Sequence, residues 1–296
     1  MSFLEILGGL VLLYCFVYIP GAGIYRHFFR KSHDLKARYG AGSWALITGS
    51  SDGIGKSFAY KIAQEGFNLF LISRTESKLA AIAKEIEQKY SVKVKYLALD
   101  FGKSYEEKFY DVIFKETKDL DISFLINNVG MSARAEDPKD QVKHSLNTVI
   151  TNCCGQTILQ EHFAPIFAKR QNKSGIINVS SVAGGKPISF SPLYSATKGF
   201  NDFLSRAAQW DYEGKIDIMS LRPGWVSTNM LNNKKPTGFT IISDDCVEGA
   251  LKNLGHDEWT NGHWKHALFQ FLYFSIPDAT FQRMALSFRT KKPKED

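Results

Sequence analysis

Residues 44–55 read WALITGSSDGIG, a short apolar run, Trp44–Thr48, that breaks into a turn carrying Gly49, Gly53 and Gly55. The apolar run predicts a buried strand, and the periodicity from Ile54 to Glu65 predicts a helix directly after it. Three glycines at a strand-to-helix turn serve a tight bend, close approach of the backbone to phosphate, and packing of the helix on the strand. The start of that helix offers unpaired N–H groups and the positive end of its dipole. Gly49, Ser51, Asp52, Gly53, Ile54 and Gly55 are therefore candidate contacts to a dinucleotide pyrophosphate. The spacing is GxxxGxG rather than GxGxxG, and a plain turn is the competing reading.

Outward from this unit the pattern repeats. Strands are predicted at Asn68–Ser73, Val92–Leu99, Ile122–Asn127, Ile176–Ser180 and Ile216–Leu221. Helices are predicted at Glu76–Tyr90, Tyr105–Lys118, about Lys139 to Arg170, and Tyr194–Tyr212. Such alternation means an α/β fold, a Rossmann-type doubly wound parallel sheet with helices on both faces. Its ligand crevice lies beyond the carboxyl ends of the strands. Arg74 follows the second strand, where an acid would bind a ribose diol and a cation suits a 2′-phosphate, so Arg74 favours NADPH/NADP over NADH; a solvated surface charge is the alternative. Asp100, after the third strand, is placed either to accept from the adenine amino group or to cap the next helical turn.

A helix opening with Tyr194-Ser195-Ala196-Thr197-Lys198 sets the phenol and the ammonium on one face, four residues apart. A nearby cation lowers a phenol's pKa and makes it a usable acid or base near neutral pH. YxxxK alone is common on surface helices. Ser181 ends the fifth strand, Asn128 and Gly130 end the fourth, and Asn152 lies in the long helix between them.

With TGSSDGIG, NNVG, NVSS, YSATK and RPGWVST in this order, the chain from about Ser43 to Met230 resembles the short-chain dehydrogenase/reductase family. The resemblance implies that Tyr194 is the general acid in carbonyl reduction and that Ser181 orients the carbonyl. Lys198 would hold the nicotinamide ribose and tune Tyr194, and Asn152 would position a water relaying protons to Lys198. Asn128 and Gly130 would line the adenosine ribose, with Pro223, Gly224, Val226 and Thr228 along the nicotinamide. Val129 stands where the family usually has Ala. TGSSDGIGK, LISRTESKL, LINNVGMS and LRPGWVSTNM are most similar to the branch of very-long-chain 3-oxoacyl-CoA reductases and 17-beta-hydroxysteroid dehydrogenases of the endoplasmic reticulum. That branch implies reduction of a ketone on a lipid-like substrate. A catalytically idle accessory subunit of a membrane assembly is the reading from another class.

The ends carry the charge. Of a net +7, residues 26–38 hold +4 and residues 283–296 hold +3, which leaves the body neutral. A nucleic-acid binder would carry its excess on the folded domain, whereas basic segments beside apolar ones suit a membrane surface. Phe3–Ile19 is apolar, the low end for a spanning helix, and Pro20, Gly21 and Gly23 interrupt it. No cation precedes it and a basic cluster follows. This favours an uncleaved anchor with a cytosolic catalytic domain over a signal peptide or a buried helix. Residues 1–25 are thus read as a membrane anchor, 26–42 as a basic linker, 43–262 as the catalytic domain, and 263–296 as an aromatic, basic segment that is either a lid or a bilayer contact. The tail Lys292-Pro293-Lys294-Glu295-Asp296 resembles a retrieval signal for the endoplasmic reticulum, or is a solvated end; a mitochondrial membrane is the other compartment. The four cysteines have no CxxC or Cys/His spacing, so no metal site is expected and reduced thiols are. A homodimer and a larger membrane complex both stay open.

Overall fold

The structure is a computed structural model, and it describes residues 2–106, 108–132, 138–189 and 191–290. Its centre is one seven-stranded parallel sheet in the order β3-β2-β1-β4-β5-β6-β7. The strands are β1 (Trp44–Thr48), β2 (Asn68–Ser73), β3 (Val94–Ala98), β4 (Ile122–Asn127), β5 (Ser174–Val179), β6 (Ile216–Leu221) and β7 (Trp259–Thr260). Strand order reverses between β1 and β4, which opens a crevice at their carboxyl ends. β4, β5 and β6 are buried along their whole length. Continuous apolar runs, rather than alternation, are what a sheet covered on both faces requires.

Two apolar clusters fill the space above and below. Ala45 and Ile47 of β1 join Phe58 and Ile62 on one face, while Leu46 joins Phe70, Phe163 and Ile176 on the other. The helices that cover the faces are α3 (Gly53–Gln64), α4 (Glu76–Tyr90), α5 (Phe109–Thr117), α6 (Gln141–Val149), α7 (Gly155–Phe167), α8 (Pro192–Asp211) and α9 (Ser243–Asn253). A π turn, Ile150–Cys154, joins α6 to α7, so the long helix predicted between β4 and β5 is continuous with one widened turn.

The N-terminal apolar helix, α1, is longer than the sequence suggests. It runs Phe3–Phe29, 27 residues, without a break at Pro20, and none of its apolar window is buried. A π turn at Tyr14–Tyr18 precedes the proline. Widening of that kind accommodates a ring that cannot donate and that crowds the preceding turn. At 1.5 Å per residue the helix measures about 40 Å, against about 30 Å of hydrocarbon. It fits membrane anchoring, with turns to spare.

Those spare turns and the residues after them are not an extended tether. Arg26 and Arg30 pair with Asp257, and the Lys252 ammonium donates to the His27 carbonyl at 2.9 Å. A short helix, α2 (Leu35–Tyr39), is capped by Asp34 and buries Leu35 and Tyr39. Arg38 and the Tyr39 hydroxyl both donate to Asp217 at the start of β6, at 2.6 and 2.7 Å. Burial alone would push the Asp217 carboxyl up, but these hydrogen bonds outweigh it and hold it below the usual carboxylate range. Arg26, Arg30 and Arg38 thus pin the N-terminal helix and the segment after it to the domain.

Beyond β7 lie α10 (Trp264–Ser275) and α11 (Asp278–Thr290). The basic tail read as a retrieval signal lies outside the described residues.

Candidate active site

The turn after β1 is built so that side chains cannot fill it. Gly49 and Gly53 have φ of +65° and +52°, where L side chains are strained. A Cβ on Gly49 would sit 2.8 Å from the Asn128 amide nitrogen, and one on Gly53 would sit 2.7 Å from Thr228 Cγ2. A Cβ on Gly55 would drive into the Gly49 carbonyl. The loop is braced from β4: Thr48 Oγ1 accepts from the backbone N–H groups of Asn128 (3.0 Å) and Val129 (3.2 Å). The Asn128 amide donates to the carbonyls of Thr48 and Gly49. Asn128 therefore shapes the cradle, in addition to any contact with a ribose. Ser51 Oγ bonds Ser73 Oγ at 2.6 Å, joining the turn to the end of β2. Asp52 stands at the N-cap of α3 without a side-chain cap bond, and Ile54 packs on the core. An uncapped helix start in a glycine cradle is the surface an anionic phosphate requires.

Arg74 is exposed directly after β2. Asp100 caps the turn Phe101–Lys103 by accepting from Gly102 N at 3.0 Å, the capping role that sequence offered as one alternative.

Four strand ends converge beside the cradle. Lys198 is buried, and its ammonium donates to the Val179 carbonyl, the last of β5, at 2.7 Å. It lies 5.9 Å from the centre of the Tyr194 ring, one helical turn away. Gly130 leaves the room for this: a Cβ there would be 3.3 Å from Lys198 Nζ. Ser181 Oγ accepts from Ala183 N at 3.1 Å and donates to the Pro223 carbonyl at 3.4 Å. Asn152 sits in the π turn, accepting from Met131 N at 2.8 Å and donating to Met131 O and to Thr197 Oγ1. It thereby ties the end of β4 to α8. Pro223 O accepts from Val182 N at 3.0 Å, Gly224 packs against His266, and Val226 bridges Ile241. Thr228 closes on Gly53 as above. The predicted residues of the β1, β4, β5 and β6 ends thus form one wall, and Arg74 and Asp100 stand at the ends of β2 and β3.

The electrostatics differ from the expectation that Lys198 pulls the Tyr194 phenol down. Burial pushes Tyr194 up, with the neighbouring Ser181 hydroxyl working the other way, so the phenol is protonated at neutral pH. Burial lowers Lys198 to about 8, and the neighbouring Cys153 works the other way. The charged lysine is therefore present below about pH 8 and lost above it. The expected outcome is a kcat/KM for the nucleotide, at saturating ketone, that declines through a limb near pH 8, since that parameter reports the nucleotide-free enzyme. A pH profile that stays flat to pH 10 would assign the ionisation elsewhere.

Sequence reading missed two supports. Asp202, one turn beyond Lys198, takes Arg222 in a two-pronged buried pair at 2.5 and 2.6 Å, and Ser220 donates to the same carboxylate. The pair fixes α8 to the end of β6 immediately before Pro223. The second is Lys186, buried in the loop between Ser181 and Tyr194. Its ammonium donates to the carbonyls of Tyr273 (3.2 Å) and Ile276, pairs with Asp278 at 3.1 Å, and lies over the rings of Tyr273 and Phe281. Charged residues at loop positions 186 and 222 carried no periodic signal. The contacts of Lys186 lie far along the chain and make α10 and α11 a cover over that loop. Phe288 is outside the described side chains.

A family model described as short chain dehydrogenase matches residues 43–238. The Homo sapiens very-long-chain 3-oxoacyl-CoA reductase is 34% identical over 256 residues, covering 84% of this chain and 80% of that relative. Among solved structures, one described under 7beta-hydroxysteroid dehydrogenase stereoselectivity aligns with a TM-score of 0.76 at 24% identity, over 85% of this chain and 98% of its own. The short-chain dehydrogenase from Sphingobium yanoikuyae in complex with NADPH aligns with a TM-score of 0.65 at 24% identity, over 86% and 99%. The two structures share the fold, while the family model spans the glycine cradle and the Ser181, Tyr194 and Lys198 wall alike; the chain belongs to the short-chain dehydrogenase family and is an oxidoreductase.

Proposed function

We propose that this enzyme reduces the ketone of a long-chain 3-oxoacyl-CoA with NADPH, at the endoplasmic reticulum membrane with its catalytic domain in the cytosol. The observation that carries the reading is the wall of Ser181, Tyr194 and Lys198 beside an uncapped glycine cradle. NADPH, when bound, supplies the hydride to the carbonyl carbon. Ser181 holds the carbonyl oxygen beside Tyr194, whose protonated phenol gives that oxygen its proton. Lys198 holds the ribose hydroxyls from the buried side, and the free lone pair of Asn152 Oδ1 takes a water on the path to Lys198. Asp100 and Gly130 line the adenosine side, and Val226 and Thr228 the nicotinamide side. Arg74, exposed at the end of β2, meets the 2′-phosphate. The Homo sapiens relative named above supports the substrate class, and the apolar α1 supports the membrane. A 3-oxoacyl-CoA also gives the basic ends something to attract, namely its phosphates, an effect that salt screens.

Two measurements on the purified full chain test this. The first compares long-chain 3-oxoacyl-CoA with a 17-ketosteroid. The thioester is expected to be reduced faster, with a kcat/KM that falls as ionic strength rises. Reduction of steroid alone would replace the acyl-CoA reading with the steroid one. The second is Arg74→Asp, expected to shift the NADPH-over-NADH preference by about 100-fold, the worth of a charge-assisted contact. An unmodified enzyme that prefers NADH would remove Arg74 from this role.

A further inference from the structure

α10 has two faces. His266, Gln270 and Tyr273 are buried against the domain. On the other side Trp264, Leu268, Phe271 and Leu272 are exposed by 41, 43, 61 and 47%. These fall at i, i+4, i+7 and i+8, one continuous stripe on a helix. A contiguous exposed apolar stripe marks an interaction surface.

Its position says what covers it. Phe28, in the last turn of α1, packs on Trp264 at the head of the stripe, with ring centres 6.4 Å apart. The join is stiff, because Arg26 and Arg30 pair with Asp257 and Arg26 lies over Trp259, 5.6 Å from its ring centre. The apolar surface of α1 thus continues onto α10 with no mobile segment between. Lys265 lies over the Trp264 ring, 6.0 Å from its centre, and the exposed Lys31 follows the last turn of α1. Apolar stripe, tryptophan and flanking lysines are the composition of a helix that lies in a membrane interface.

We propose that the Trp264–Leu272 stripe of α10 lies in the lipid interface as a second membrane contact, beside the spanning α1. This rests on the reading of α1 as a membrane span. The opposite face of α10 carries Tyr273, whose carbonyl holds Lys186 in the loop between Ser181 and Tyr194. The same helix then touches lipid on one side and supports the cleft on the other, so a substrate dissolved in the bilayer meets the cleft without crossing bulk water.

The test uses the full chain in phosphatidylcholine–phosphatidylserine vesicles containing doxyl-labelled lipid. A fluorescent unnatural amino acid replaces Phe271 in one sample, Val11 of α1 in a second, and the exposed Lys84 of α4 in a third. Lipid quenching is expected at positions 271 and 11 and not at 84, with the same result when Leu268 replaces Phe271 as the labelled site. Quenching at 11 but not at 271 or 268 overturns the second contact and leaves the span standing. No quenching at 11 removes the span, and the proposal with it. An unquenched, blue-shifted signal at 271 that self-quenches between labelled copies assigns the stripe to a second copy of the chain and also overturns the proposal.

Discussion

Tyr194→Phe is expected to lower kcat/KM for ketone reduction about 1000-fold, within the range that a positioned proton donor contributes. The substitution keeps the ring and therefore keeps the surroundings of Lys198, whose ammonium is held by the Val179 carbonyl and not by the phenol oxygen. Nucleotide affinity should change by less than a factor of two or three, because no part of the cradle is touched. The two readouts together separate a chemical role from a structural one. Fluorescence titration of the nucleotide and steady-state kinetics on the same preparation provide them. If Tyr194→Phe retains more than a tenth of the turnover, the proton comes from another group. Ser181 would then be the next to examine, since its hydroxyl also lies at the end of β5.

Gly55→Ala should have an effect of comparable size on binding. The added methyl meets the Gly49 carbonyl group, with its carbon 2.8 Å away, and the Asn128 amide. Both are backbone or braced to backbone, so neither can swing aside as a long side chain could. α3 has to move off β1, which opens the cradle from which its N–H groups address phosphate. Nucleotide affinity is expected to fall more than 100-fold, with a loss of stability of about 2 kcal/mol, typical of an overpacked site. Gly8→Ala in α1 is the control, since nothing lies within 4 Å of a Cβ there. An unchanged nucleotide dissociation constant in Gly55→Ala would mean the phosphate lies elsewhere.

Much of this was legible in the sequence. β2, β4, β6 and α4 occupy the very residues that their patterns predict, because the strands are mostly apolar runs closed by turns and the helix has one apolar face. The edge strand β3 is shorter than its apolar stretch, since one side of it faces solvent. β7 has two residues, too few to show a period, and went unseen with α9 beside it. The candidate site residues could be picked out because doubly wound sheets collect ligand contacts at strand ends. The bracing between Thr48 and Asn128, 80 residues apart, and between Asp202 and Arg222 was not, as no local pattern reports such a pairing. The anchor shows the largest departure. Pro20 and two glycines predict a break in an isolated helix, but a π turn absorbs the proline. Of the cations after it, read as a basic linker beside a membrane, Arg26 and Arg30 face Asp257 and Arg38 faces Asp217.

Lys186 has a consequence for how the protein is made. It is synthesised nearly ninety residues before Tyr273, Ile276 and Asp278, the groups that satisfy its charge. While the chain is still growing, Tyr194, Lys198 and Ser181 are all present, but the loop before Tyr194 carries an ammonium with nowhere to be buried. The last two helices finish the cleft, and only after they leave the ribosome. A messenger cut short before codon 273 would yield a polypeptide that keeps Ser181, Tyr194 and Lys198 but has lost every group that holds Lys186.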